Sequence, residues 1–297
     1  MDIRVLRYFL AVAKEGSISG AAERLHLSQP TLSRQLMDLE AELGKTLFIR
    51  GRRRIVLTEH GVLLRRRAGE ILDLFDKTVG ELTAAEDTVM GDVYIGAGET
   101  EGVHFLTRAA RRLQERYPLI HFHIASGDAV DVAEQLDKGL IDFALLVGAV
   151  DTRKYEHIKL PDRDTWAVLM RRDHPLAQKS AIRPEDLYRE PLLLSRQIKD
   201  GSPFLAWMGR SLAQLNVVST HNLIYNASLM VEEGLGVAVT LEGLINTTGE
   251  SCLCYRPLLP RLEVELFLSW KRYQTFSPAA SKFLELLRRE TLPEILQ

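Results

Sequence analysis

Only two cysteines occur in 297 residues, Cys252 and Cys254. A pair that close cannot staple a large fold, and so little thiol predicts a reducing, cytoplasmic compartment. No run approaches the roughly 18 uninterrupted apolar residues that a membrane-spanning helix needs, so no membrane partner is expected. The opening segment, MDIRVLRYFLAVAKEG, is apolar only in a helical stripe and carries Lys14 and Glu15. It offers no small-residue cleavage site, which argues against an export signal. Metal ligands at zinc spacing are missing: His121 and His123 share one strand face and Cys252 and Cys254 lie two apart, which predicts structural roles and no metal. No nucleophile-and-base pattern stands out, so no catalytic residue and no enzyme are expected. GAGETEG at 96–102 follows a predicted strand, but a dinucleotide fingerprint needs glycine where Glu101 stands. No cofactor is expected.

What is present is an uneven distribution of charge. The formal net charge is −2, yet residues 1–67 hold 13 basic and 7 acidic side chains, a balance of +6, which leaves −8 for the remainder. A basic head on an acidic body suggests that one domain meets a polyanion. Hydrophobic residues make up 46% of the chain, ample for two or three packed units.

The head reads as three helices. Leu6, Phe9, Leu10 and Ala13 form one buried stripe, Gly16 stops the first helix, and Ile18, Ala22 and Leu25 line a short second one. Ser28 caps a third helix that buries Leu32, Leu36, Leu39 and Leu43 and ends at Gly44. Ala21 and Ala22 are small where two helices cross. The opposite face of the third helix carries Gln29, Pro30, Thr31, Ser33, Arg34 and Met37. Gln pairs bidentately with adenine and Arg with guanine, while the Pro30 ring suits a thymine methyl, so this face predicts base reading in a major groove. Short strands at 47–50 and 55–57 then flank Gly51, with Arg50, Arg52, Arg53 and Arg54 crowding their junction. Such a wing suits phosphate or minor-groove contact.

GSISGAAERLHLSQPTLSRQLMDLEAELGKTLF, residues 16–48, resembles the DNA-binding motif of LysR-type transcriptional regulators, and the likeness continues through Arg50 and LTEHG at 57–61. It implies a recognition helix beginning near Gln29 and a dimer on double-stranded promoter DNA. From Thr58 a helical pattern runs on with Leu64, Ala68, Ile71, Phe75, Thr78, Leu82 and Ala85 at spacings of four and three, a seam that predicts pairing with a second copy. The expected boundaries are a winged helix-turn-helix at 1–57, a dimerisation helix at 58–87 and an effector-binding domain at 88–297.

The last part predicts α/β structure: two β-α series with parallel strands, joined by two crossings into a hinged pair of lobes, about 91–161 with 266–297, and about 162–265. It resembles the two-lobed, periplasmic-binding-protein-like effector domain of the same family, through SGDAVDVAEQLDKGLIDFALL, HPLA at 174–177 and VEEGLGVAV at 231–239. Ligands of such folds lie at strand carboxyl ends and helix N-termini. That placement selects Gly98, Glu99, Thr100 and Glu101, then Ser126, Gly127 and Asp128, with Val147 and Gly148, in one lobe, and Ser195, Arg196, Ser202, Asn226 and Thr240 in the other; the resemblance singles out Thr100 and Ser126. Glu99 and Glu101, flanking Thr100, would repel an anionic effector unless a cation such as Arg196 offsets them. The resemblance further implies a dimer or dimer of dimers, an unidentified small-molecule effector and RNA polymerase as the downstream partner. An architectural DNA-binding protein without an effector is the alternative, which the large two-lobed domain disfavours.

Overall fold

Residues 1–51, 55–83 and 89–291 are described by a computed structural model, in which the chain divides into two compact units, Met1–Thr83 and Ala84–Gln297. In the first, Leu6, Phe9 and Val12 give α1 (Ile3–Glu15) one buried stripe. Asp2 caps that helix by accepting from the Arg4 amide at 2.8 Å, and Gly16 ends it. Ser17 caps α2 (Ile18–Arg24), whose buried Ala21 and Ala22 permit close packing. His26, at φ 55°, turns the chain into α3 (Gln29–Leu43), and Leu32, Leu36 and Leu39 bury against the same core. The wing follows as antiparallel β1 (Phe48–Arg50) and β2 (Ile55–Leu57), with Phe48 opposite Leu57.

The 25-residue α4 (Glu59–Thr83) starts hard against the wing. A Cβ on Gly61 would lie 2.2 Å from the Leu47 carbonyl oxygen, so only glycine allows that approach. The expected seam on this helix divides in two. Ala68 is fully buried and Leu64 partly buried in the core of their own unit, together with Leu72, because α1 packs over that face. Ala68 therefore has no surface to offer a second chain, a correction to its assignment as an interface residue. Ile71, Phe75 and Leu82 are exposed, with Leu74 beside them. The Thr78 hydroxyl turns back to donate to the Leu74 carbonyl at 2.7 Å, and Ala85 lies outside the described residues.

The second unit begins with β3 (Gly91–Ala97), α5 (Val103–Arg116), β4 (Ile120–Ser126), α6 (Ala129–Asp137) and β5 (Phe143–Val147). β3 lies parallel to both β4 and β5, the arrangement expected of β-α-β crossovers. The chain then enters β6 (Tyr155–Arg171), a strand of 17 residues where the sequence predicts only 166–170. Pro161 and the charged run around it break the apolar pattern, yet that part of the backbone is held by pairing with a later strand. The second lobe contains α7 (Pro184–Leu187), β7 (Leu192–Ser195), α8 (Pro203–Met208), β8 (Val217–His221), α9 (Ile224–Glu232), β9 (Val237–Leu241) and β10 (Leu253–Pro257). The helix expected through 204–215 stops early, because Gly209 adopts φ 63° and caps α8. The chain returns along β11 (Glu263–Lys271), antiparallel to β5 and β6, and ends its described part in α10 (Pro278–Thr291). Ser277 caps α10 by accepting from the Ala280 amide at 3.1 Å.

The strands run in the order β4-β3-β5-β11-β6-β9-β7-β8, with β10 also on β6. Each lobe has its own apolar core: Phe143, Trp270 and Phe283 lie in one, Phe204, Met208 and Val239 in the other. The two crossing segments run side by side, Glu263 opposite Thr165 and Val264 opposite Asp164. Among the described residues, no helix is long and apolar enough to cross a membrane.

Candidate functional site

Two places in the chain concentrate chemistry, one in each unit. In the first, the buried leucines of α3 anchor one face and so push Gln29, Pro30, Thr31 and Arg34 into solvent, with Ser33 half-buried beside them. Ser28 fixes the start of the helix: its hydroxyl oxygen accepts from the Thr31 amide at 3.3 Å and lies 2.7 Å from the Thr31 hydroxyl. A helix end held in this way presents base-reading groups from a rigid support. Glu40, which the sequence reading passes over, anchors the wing from the other end of the helix. Its carboxylate accepts from the amides of Leu47 at 2.6 Å and Phe48 at 3.1 Å. The Ile55 amide donates to the Gly16 carbonyl at 2.9 Å, tying the second wing strand to the turn between α1 and α2. Arg50 ends β1, whereas Arg52, Arg53 and Arg54 lie outside the described residues.

In the second unit, residues at the carboxyl ends of β3 and β5 and at the start of α6 share a cavity of about 310 Å³ with residues at the ends of β7, β8 and β9. Its wall is mostly apolar, with Val147, Trp166, Phe204, Ile224 and Leu244 prominent. A volume of that size, with few polar groups, is typical of a small-ligand site. Of the residues expected there, Gly98, Glu99, Gly127, Asp128, Val147, Gly148, Ser195, Ser202 and Thr240 line the cavity, and Thr100, Glu101, Ser126, Arg196 and Asn226 do not.

The reasons are specific. Thr100 is buried and donates its hydroxyl proton to Asp164 Oδ2 at 2.5 Å, while its oxygen accepts from the Gly102 amide at 3.1 Å. Its hydrogen-bonding capacity is spent inside the protein. Ser126 is exposed at the end of β4, the edge strand, and Asn226 is exposed on α9. Arg196 leaves β7 and crosses to the other lobe, where Nε donates to Asp128 and Nη2 reaches Asp131 Oδ2 at 2.8 Å. Asp128 also caps α6, accepting from the amides of Val130 and Asp131 at 3.0 and 3.1 Å. Burial raises the Asp128 pKa, but Arg196 and the two amides outweigh it, and the carboxyl is held below the usual aspartate value.

A second bond crosses between the lobes. Glu99, just after β3, accepts from the Ile224 amide at the start of α9 through Oε2. That carboxylate occupies the positive end of the helix, a place suited to an anion. Glu101 stands where a dinucleotide-binding turn would need glycine.

Thr240, expected from its place at a strand end, lines the cavity, whereas nothing in the sequence singles out His221 or Trp166, which line it too. His221 is the last residue of β8. In the structure His221 pairs with Ser195 across β7 and β8, and both line the cavity. Its Nδ1 is buried with no hydrogen-bond partner among the described residues, and burial pushes the ring's pKa below its ordinary value. The histidine and cysteine pairs stand apart from this cavity. His123 bonds Asp92 at 2.8 Å and stacks on Tyr94, Cys254 is buried, and Cys252 is exposed.

Comparison with known proteins bears on both places. Residues 3–62 match the family model of the bacterial regulatory helix-turn-helix protein, lysR family, and residues 86–292 match that of the LysR substrate binding domain. The uncharacterized HTH-type transcriptional regulator YvbU of Bacillus subtilis strain 168 is 29% identical over 293 residues, 97% of this chain and 98% of its own length. The Hca operon transcriptional activator HcaR of Escherichia coli K12 is 28% identical over 294 residues, covering 97% of each chain. The fold is similar to that of CbnR, a LysR family transcriptional regulator, with a TM-score of 0.76 at 20% identity over 99% of this chain and 100% of that one. CbnR bound to its target DNA gives a TM-score of 0.71 at 21% identity, over 97% of this chain and 99% of that one.

Proposed function

The chain belongs to the LysR family of DNA-binding transcription regulators, and from that premise we propose that α3 reads promoter DNA while the cavity between the lobes takes a small-molecule effector. Gln29, Pro30, Thr31, Ser33 and Arg34 contact base edges in a major groove, and Arg50, Arg52, Arg53 and Arg54 of the wing hold phosphates or the minor groove. The observation that carries this reading is the polar end of α3, capped by Ser28 and seated on three buried leucines.

Two copies pair through the exposed stripe of α4, Ile71, Phe75 and Leu82, and so place two recognition helices on an inverted repeat. A further pairing of effector domains gives a dimer of dimers. It is supported by exposed apolar side chains near both edge strands, Ile124 and Val130 by β4, and Val218 and Tyr225 by β8. The effector favours one arrangement of the lobes, and its differential affinity for the two arrangements sets how far DNA geometry and recruitment of RNA polymerase shift. The site of action is the cytoplasm.

Selection of bound sequences from a random duplex pool, using the full chain, yields the cognate site on which this is tested. Arg34→Ala then costs about 1–3 kcal/mol on that site and relaxes preference at one base position. Equal losses on cognate and random duplexes would show that Arg34 reads no base.

A further inference from the structure

Resting on the reading of the inter-lobe cavity as the effector site, we propose that its ligand is an uncharged, single-ring molecule bearing one hydrogen-bonding group, and not a carboxylate. The positions that would hold an anion are already filled by the protein. Glu99 accepts from the Ile224 amide at the start of α9, and Asp128 accepts from the Val130 and Asp131 amides at the start of α6. The cation at the rim, Arg196, is engaged by Asp128 and Asp131, and no lysine or arginine lines the wall among the described residues. An arriving carboxylate would meet Glu99, find the starts of α6 and α9 already capped by carboxylates, and find Arg196 engaged.

The groups left open are neutral. Thr240 keeps only 7% of its surface, lines the cavity, and its hydroxyl has no partner among the described residues. Ser195 and His221 lie on the neighbouring strands: β7 is parallel to both β8 and β9, Ser195 is paired with His221, and Thr240 stands two residues beyond the Ala238 that pairs with Leu193. Thr240, Ser195 and His221 thus make a row across three strand ends, with neighbouring strands about 4.8 Å apart. The row offers the Thr240 hydroxyl to the cavity, while Nδ1 of His221, unpaired among the described residues, is sealed from it. A hydroxyl left without a partner in a mostly apolar wall is costly, and a ligand hydroxyl or carbonyl placed against Thr240 removes the cost.

The rest of the wall fixes the remainder of the ligand. Trp166 and Phe204 stack at 6.1 Å between ring centroids, and Val147, Ile224 and Leu244 close the apolar surface. An apolar cavity of roughly 150 Å³ already holds benzene, so about 310 Å³ accommodates one ring with a substituent. A cation must be desolvated against this apolar surface, and the carboxylates that would draw it, Glu99 and Asp128, are already engaged by helix-start amides and, for Asp128, by Arg196.

The test uses the full chain and three probes that share a ring and differ in charge: benzyl alcohol, benzylamine and benzoate. Binding is read by saturation-transfer NMR and calorimetric titration. Benzyl alcohol is expected to bind the wild type at least about tenfold more tightly than either charged probe. Thr240→Val removes the hydroxyl at nearly constant volume and weakens benzyl alcohol several-fold, while toluene is unaffected. Glu99→Ala frees the Ile224 amide, and benzoate then gains at least about tenfold. Tightest binding of benzoate or of benzylamine to the wild type overturns the proposed class and leaves the cavity as effector site intact. A Glu99→Ala variant with no gain for benzoate overturns the claim that Glu99 fills the anion position. If no probe binds either protein, the reading of the cavity as an effector site fails as well.

Discussion

Asp164 illustrates what one side chain costs when it is placed between crossing strands. Its burial raises the pKa above the ordinary 3.8, the Thr100 hydroxyl opposes that by donating to it, and nearby Glu101 and Asp162 reinforce the rise. The folded protein therefore holds this proton more tightly than the unfolded chain does. Stability on this account is greatest below the ordinary carboxylate value and declines as pH rises through the higher folded value. Asp164→Asn keeps an acceptor for Thr100 and removes the charge. Chemical denaturation is expected to show the variant more stable than wild type at pH 7, with the gap closing as pH falls through the raised folded value toward 3.8. A gap independent of pH would mean that the charge is not the cause. Thr100 has the residue type of a ligand group, and its place after a strand fits that role. Only the position of Asp164, 64 residues away, assigns its hydroxyl elsewhere.

Among the elements, α4 and the wing show how a periodic pattern is shared between two tasks. Spacings of four and three mark an apolar face but do not say whether it meets the same chain or another. Ala68 and Leu72 are taken by the core under α1, and the Arg7–Asp76 ion pair ties the two helices together farther along. The stripe that remains for a second copy begins at Ile71. Ile71→Glu with Phe75→Glu is expected to give monomers in analytical ultracentrifugation without lowering the helical content measured by circular dichroism; persistent dimers would remove α4 from the interface. For the wing, Arg52→Ala with Arg53→Ala is expected to weaken binding on every duplex alike. The slope of log affinity against log salt should become shallower by about 0.9 for each phosphate that is no longer neutralised, and an unchanged slope would count against a phosphate-binding role.

At the scale of the whole second unit, the two lobes are joined by strands at their base and by two polar ties at the cleft. Glu99 caps a helix of the opposite lobe, and Arg196 reaches Asp128 and Asp131. Asp128 is nearly fully buried, so removing its partner leaves a carboxylate that only backbone amides satisfy. Arg196→Met is expected to raise hydrogen exchange in segments 127–131 and 195–198 and to move the Asp128 pKa up toward its ordinary value. Because the folded pKa is depressed, the ion pair stabilises the protein above 3.8, and that stabilisation disappears as pH falls through the lower folded value. Exchange that is unchanged in the variant would show that the ion pair does not hold the lobes.

The DNA-reading unit is legible from the sequence because everything that specifies it is local. Caps at Ser17 and Ser28, stops at Gly16 and Gly44, small residues at 21 and 22 and leucines at 32, 36 and 39 act within a few turns of one another. Glu40 is not, since its partners, the Leu47 and Phe48 amides, are backbone groups that no side-chain pattern announces. The α/β alternation likewise marks the fold class of the second unit and the strand ends where a cavity forms. Which of the strand-end side chains line that cavity, and which are spent elsewhere, is decided by tertiary structure. Strand register brings His221 beside Ser195, and the long β6 supplies Asp164 to consume the Thr100 hydroxyl. Arg196, expected as a ligand group, is instead a tie between lobes because Asp128 and Asp131 lie within its reach. Hydrogen bonds between residues distant in sequence depend on where the backbone returns, and that is fixed only when both lobes are folded.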